Sequence, residues 1–462
     1  MSVVSRLPGG VSNVVGLLFG LVLLLSACGR IPPSGVSGEL VIGVREAPGF
    51  YQREDGVESG FDYDFAVAFA EKLGLKPRFV TAPGPQELLD LVQGRRVHLA
   101  ASVPVGPTND HHSQPIRHVG QLVVGMADEF GPEDLDELSA YPVKLIAGSD
   151  IAETLRKLPS PPSIIEVTGI DEIGLLTSIT QERGMLAAVH DIHFDLALHV
   201  QPDLQPLLRL PGKVAIGWAF SGSEASDLKS KADAFIADSI KDRTLARIHD
   251  RHFGYIKRIN SAGAAQFIED IQIKLPNFRR EFQIAEELTG LDWRLVAALA
   301  YQESKWDPLA TSYTNVRGMM MLTEDTADHL GVKNRLDAAE SIRAGARYLL
   351  DLTEQIPQST PYPDRLWLAL SAYNMGMGHF RGALSIAKGM KRDSDSWYEM
   401  KQVLPQLARP EIYARLKSGK ARGGEAVIMV ENIRTYFDIL ARLEPPHTRS
   451  FSRSRSQSLT RR

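Results

Sequence analysis

A single cysteine in 462 residues excludes an intrachain disulfide, a Cys-x-x-Cys redox pair and a cysteine-rich zinc site. Charge of one sign is also lacking. Lys+Arg 52 against Asp+Glu 56 leaves −4, which does not suggest a nucleic-acid binder. After Cys28 no turn-free apolar run reaches the roughly eighteen residues of a membrane-spanning helix, so the rest reads as soluble protein. A hydrophobic fraction of 44% and a charged fraction of 23% exclude wholesale disorder and a multi-span membrane protein. At roughly 100–200 residues per domain, the length predicts two or three domains.

The one cysteine closes an export signal. Arg6 gives a modest positive start, and Val14 to Leu25 is an apolar run too short for a bilayer but suited to a signal-peptide core. It ends in Leu25-Ser26-Ala27-Cys28, which resembles a bacterial lipobox. That resemblance implies a lipoprotein signal peptide over 1–27, cleavage before Cys28, and acyl chains on its thiol and new amino terminus. Three chains exceed the two signals that stable anchoring needs. Gly29 rather than Asp after the cysteine implies the periplasmic face of the outer membrane. Residues 28–37, with Pro32, Pro33 and Gly35, read as a tether.

Over 38–258 short apolar strands alternate with amphipathic helices. Leu40–Val44, Arg78–Val80 and Val97–Val103 read as strands, and Asp64–Leu73 as a helix stopped by Gly74. The rhythm predicts an open, mostly parallel sheet, and its recurrence after residue 143 predicts two lobes with a cleft between them. Gly38-Glu39-Leu40-Val41-Ile42-Gly43-Val44, Ser59-Gly60-Phe61-Asp62-Tyr63-Asp64 and the segment from Asp227 to Gly254 resemble the extracellular solute-binding proteins of family 3. The resemblance implies a periplasmic-binding-protein-like α/β fold and a muropeptide or amino-acid ligand. Asn109 stands where that family usually places a carboxylate-forking Arg, and Asp191 matches its amino-group acceptor. An acid without its Arg leaves open a retained ligand or an altered, structural cleft. His111-His112 reads as a solvated loop, and no metal site is expected.

From 259 to 446 the pattern is almost continuous helix. Asp292 can cap a helix over Trp293–Ser304, whose apolar Leu299 and Ala300 share a face with Glu303. A carboxyl on an apolar face is a candidate for a raised pKa and general-acid work. Glu303-Ser304-Lys305-Trp306-Asp307-Pro308 opens a series of motifs. It continues with Ser312 to Met321, then Gly345 with Tyr348-Leu349, Ala372-Tyr373-Asn374-Met375-Gly376, and Glu425 with Val430. In that order they resemble the soluble-lytic-transglycosylase domain of glycoside hydrolase family 23. Met321 replaces the family's Gln, Asn315 and Val316 its Gly-Ala, and Met429 its usual Tyr. Lipobox, binding-like domain and Met-Met-Met variant together resemble the membrane-bound branch of these enzymes.

Ordinary glycosidases use two carboxylates, and the matched motifs offer one. The resemblance implies how one suffices. Such enzymes cleave the β-1,4 bond between N-acetylmuramic acid and N-acetylglucosamine without water, leaving a 1,6-anhydromuramoyl end. Glu303 would protonate the leaving oxygen and then take the proton of the attacking 6-hydroxyl on the same sugar. The resemblance also implies substrate-binding roles for Ser304, Ser312, Met320, Met321, Tyr373, Asn374 and Glu425, with no cofactor. Helix packing plus a turn is the alternative for Tyr373 and Asn374, and core packing the alternative for the Met run. For the whole chain the alternatives are a lipid-anchored binding or sensor protein with a degenerate wall-binding domain, and a hydrolytic lysozyme. The tail 447–462 holds five Arg and no acid and reads as disordered; without those Arg the charge goes from −4 to −9.

Overall fold

The computed structural model describes residues 31–54, 56–106, 111–312 and 315–447. The chain divides into two compact units, Met1–Phe253 and Gly254–Arg462.

The first unit is a two-lobed α/β structure. Its strands are β1 (Glu39–Arg45), β2 (Gln52–Glu54), β3 (Val57–Ser59), β4 (Lys76–Ala82), β5 (Leu99–Pro104), β6 (Arg117–Val119), β7 (Gln121–Met126), β8 (Pro142–Ile146), β9 (Ser163–Val167), β10 (Leu186–His190), β11 (Leu204–Arg209) and β12 (Val214–Phe220). One lobe holds a sheet in the order β4-β1-β5-β12-β6, the other β11-β7-β10-β8-β9. The expected mostly parallel sheet is corrected. In each sheet two pairings are parallel and two antiparallel. The cause is that the chain changes lobes twice, from β6 to β7 through Gly120 and from β11 back to β12. The strands flanking each crossing run against the parallel βα units. Burial agrees with this layering: β1, β5, β7 and β10 are almost wholly buried, as strands covered on both faces must be.

Residues 31–37 lie on this unit. The Pro32 carbonyl accepts from His98 at 3.0 Å, and the Ser34 N–H donates to Glu224 at 2.7 Å.

The second unit is helical. The Trp293–Ser304 helix runs through its centre, packed by the Arg279–Thr289, Ala338–Gln355 and Gly423–Leu443 helices. Trp293 to Tyr301 are all buried, so this helix is enclosed on every side rather than amphipathic, until its last turn reaches Gln302 and Glu303. Trp293, Trp306, Phe267, Phe282, Leu299, Leu370 and Ile433 share one core. Each large apolar side chain buried there contributes about 1.5–3 kcal/mol. Residues 254–258 belong to this unit because Tyr255 is held by its last helix. The Arg434 guanidinium lies 4.7 Å from the Tyr255 ring centroid, and the Tyr255 carbonyl accepts from Thr435 at 3.0 Å.

Candidate active site

The central helix carries Glu303 to its penultimate position. It starts where Asp292 accepts the Arg294 N–H at 2.8 Å, the cap expected from sequence. It stops abruptly, because Lys305 and Trp306 both take left-handed conformations, with φ of 54° and 58°. Such a conformation costs a non-glycine residue about 1–2 kcal/mol. Side-chain anchors offset the cost. The Lys305 ammonium donates to the Tyr436 hydroxyl at 3.0 Å and sits 4.2 Å from the Tyr301 ring centroid. The Trp306 indole N–H donates to the Ala297 carbonyl at 2.9 Å. The backbone leaving Glu303 therefore has one course.

Glu303 itself is partly exposed, yet among the described residues nothing hydrogen-bonds or ion-pairs with it. Burial alone pushes its carboxyl up to about 8. No cation competes with that effect, so the group is a neutral acid at pH 7. Tyr373 is its charged-state neighbour. Burial, with the Glu303 charge beside it, holds the phenol well above its ordinary value, so it stays a donor.

The Met-rich segment fits against this pair. The Ser304 hydroxyl donates to the Met319 carbonyl at 2.8 Å, and the Tyr373 hydroxyl to the Met320 carbonyl at 2.9 Å. The Met320 N–H donates to Ser341 at 3.1 Å, and its side chain fills the space left by Gly345, where an added Cβ would come within 2.6 Å. Met321 follows with φ of 46° and is partly buried. Ser312 clasps the other side of the segment, its N–H donating to the Val316 carbonyl at 3.0 Å and its hydroxyl accepting the Val316 N–H at 3.3 Å.

Of the sequence-read residues, the fold gathers Glu303, Ser304, Met320 and Tyr373 around one turn. Asn374 is exposed at the end of the Asp364–Met375 helix. Glu425 is exposed in the first turn of the Gly423–Leu443 helix, 3.5 Å from Arg422. Sequence reasoning missed Lys305, Ser341 and Tyr436. Lys305 falls inside a quoted motif, but its role needs Tyr436, 131 positions away. Cys28 and Asn109 lie outside the described residues.

The first unit holds a cleft of about 790 Å³ between its lobes. Arg45 and Glu172 meet across it at 2.9 Å. The Arg117 guanidinium sits 4.7 Å from the Phe50 ring centroid and donates to Ser102 at 2.9 Å. Burial opposes the charge on Glu172, but His193 and Arg45 hold its carboxyl down, to about 2. Burial pushes the His193 imidazole down to about 4, so at neutral pH Arg45 is the group that keeps Glu172 ionised. His111 and His112 line this cleft. Asp191 does not appear in its lining. Its carboxylate accepts the Gly120 N–H at 3.1 Å and lies 3.5 Å from Arg209, so it braces a lobe crossing. No group of three or more His, Cys, Asp or Glu that could hold a metal occurs among the described residues.

Two family models match the chain. Residues 40–255 match the bacterial extracellular solute-binding proteins, family 3, and residues 280–395 the transglycosylase SLT domain. An ancestral arginine-binding protein bound to arginine is similar over 47% of this chain and 98% of its own, at 19% identity and a TM-score of 0.42. The membrane-bound lytic murein transglycosylase F of Thiobacillus denitrificans is 38% identical over 96% of both chains. That of Nitrosospira multiformis is 35% identical over 94% of this chain and 93% of its own. A binding-protein-like unit, a transglycosylase unit and end-to-end similarity at this level place the chain in the membrane-bound lytic murein transglycosylase F family.

Proposed function

We propose that this peptidoglycan lytic transglycosylase cleaves the muramoyl–glucosaminyl bond with Glu303 as both acid and base. The observation that carries the reading is a carboxyl with no partner, pushed up to about 8 by burial. Protonated at neutral pH, it can give its proton to the leaving glycosidic oxygen. Once ionised it is an unusually strong carboxylate base, able to take the proton of the muramoyl 6-hydroxyl. Attack from within the same sugar supplies the effective concentration that a second carboxylate would otherwise help to obtain. Tyr373 and Ser304 act through the Met319–Met320 backbone they hold. Digestion of purified sacculi, followed by mass analysis, is expected to yield anhydromuropeptides; reducing ends alone would mean that water enters, and would end the proposal.

The same carboxyl sets a pH dependence. The free enzyme works only with Glu303 protonated, so kcat/KM should hold across about pH 6–7 and fall about tenfold per unit above pH 8. A descending limb near 4.5 would show an ordinary solvated carboxylate instead.

The lipobox-like Leu25–Cys28 supports anchoring through Cys28 at the periplasmic face of the outer membrane. A Cys28→Ser variant is expected in the soluble fraction; retention in the membrane would remove this reading. Four buried polar atoms around the first unit's cleft, Arg45 Nε, Arg117 Nε, Glu172 Oε2 and His193 Nδ1, have no hydrogen-bond partner. They support a small ligand bearing donors and acceptors, such as an amino acid or muropeptide. Absence of heat on calorimetric titration with a murein tetrapeptide and with free amino acids would argue for a structural cleft.

A further inference from the structure

The mechanism leaves one strongly charged surface unused. Residues 409–422 carry Arg409, Arg415, Lys417, Lys420 and Arg422 against a single acid, Glu411. All five cations are exposed. Among the described residues Arg409, Arg415, Lys417 and Lys420 have no ion-pair partner. A run of charge is usually just a solvated face, but here the apolar side of the segment is fixed in place. Leu416 and Ser418 lie where a Cβ on Gly382 would meet them at 3.3 and 3.1 Å. The Ala421 N–H donates to the Leu407 carbonyl at 3.3 Å. Gly423 then starts the last helix so close to the Leu404 carbonyl that a Cβ there would collide with it.

That helix sets how far along its axis the charge lies from the level of Glu303. It runs antiparallel to the central helix, since the Trp293 indole donates to the Pro445 carbonyl at 3.3 Å and Asn432 donates to Gln302 at 3.1 Å. The level of Gln302, beside Glu303, is thus matched by Asn432. From Asn432 back to Gly423 the last helix continues past the end of the central one for about 14 Å. The cationic segment sits at the far end of that overhang. Murein strands bear peptide stems rich in free carboxylates on the lactyl group of each muramoyl unit. A stem of four residues, fully extended, reaches about 14 Å.

We infer that the Arg415–Lys417–Lys420 surface receives the carboxylates of the stem peptide on a muramoyl unit bound near Glu303. The inference rests on the transglycosylase reading of that site, and makes the enzyme selective for stem-bearing over naked glycan. The geometry gives each cation an exposed, salt-sensitive contact rather than a buried one, so the effect belongs in KM rather than kcat.

The test uses detergent-solubilised full-length protein and a triple variant, Arg415→Gln, Lys417→Gln and Lys420→Gln. Substrates are murein strands with intact stems and the same strands stripped of stems by an amidase. On stem-bearing strands the variant is expected to raise KM about five- to tenfold at low salt, with kcat unchanged. The difference should vanish on stripped strands and in about 0.5 M salt. Equal KM on stem-bearing strands, or an equal rise on stripped ones, overturns the inference. So does loss of binding to phosphatidylglycerol vesicles with murein kinetics intact, which would assign the surface to lipid. Anhydro-product from the wild type on either substrate checks the catalytic reading separately. Should that product be missing, co-sedimentation with intact and stripped sacculi still decides whether the surface holds stems.

Discussion

Glu303→Gln is expected to lower kcat by about 1,000-fold or more while leaving KM nearly unchanged. General acid–base catalysis by one positioned side chain contributes about 10²–10⁴ in rate, and in the proposed reaction one carboxyl performs both transfers. Gln keeps the size and polarity of the side chain but cannot release a proton. The variant should also be more stable, for a reason visible in the pKa. With the folded value near 8 and the unfolded one near 4.5, the native state binds more protons than the unfolded state between those limits. Stability contributed by the neutral carboxyl is therefore full below about 4.5 and is lost as pH rises toward 8. Gln is never ionised and escapes that loss. Discounting for the partial exposure of Glu303, the gain is about 2 kcal/mol at pH 8 and close to zero at pH 4.5. Thermal melts of both proteins at the two pH values check it. A variant that keeps wild-type turnover would remove Glu303 from the chemistry. One that is inactive but equally stable at both pH values would deny the desolvation.

The site was legible in the sequence in one respect and not in others. Glu303 could be read because its motif, Glu303-Ser304-Lys305-Trp306-Asp307-Pro308, is contiguous in the sequence and lies at the end of a helix whose cap, Asp292, is local as well. The roles of its neighbours depend on long-range partners. Ser304 looks like a sugar ligand in a motif, but its hydroxyl faces the Met319 carbonyl fifteen positions on. For Met320 the sequence leaves groove lining and core packing open, and it is wholly buried against Gly345. In the first unit, βα rhythm located β1, β4 and β5 to within a few residues. The crossing strands escaped, because β6 is only three residues long and β12 pairs with strands more than ninety positions earlier. Asp191 shows the same limit. The matching residue type is present, but Arg209 and Gly120 claim its carboxylate at the crossing.

Gly318→Ala tests whether the Met segment is as fixed as the site requires. Gly318 has φ of 82°, and a Cβ built on it would stand 1.8 Å from the Arg335 carbonyl oxygen. The first fact costs alanine about 1 kcal/mol or somewhat more, and the second cannot be relieved by turning a side chain, because the obstacle is backbone. Arg335 is itself committed, its guanidinium donating to the Asn315 carbonyl at 2.8 Å and the Leu322 carbonyl at 3.1 Å. The chain at Gly318 must therefore move, and it carries the Met319 and Met320 carbonyls that Ser304 and Tyr373 hold. A stability loss of about 3 kcal/mol or more is expected, with kcat down about 100-fold as Glu303 loses its fixed surroundings. Gly331 separates strain from collision. Its φ of 71° is similar, but nothing lies within 4 Å of an added Cβ. Gly331→Ala should thus cost about 1 kcal/mol and leave turnover intact. Chemical denaturation and steady-state kinetics on the pair decide the matter. Equal losses would mean that backbone strain alone governs both glycines and that the Met segment yields without harm. A large difference, confined to Gly318, would mean that the packing of Arg335 against this turn is what holds the Glu303 carboxyl in a desolvated place.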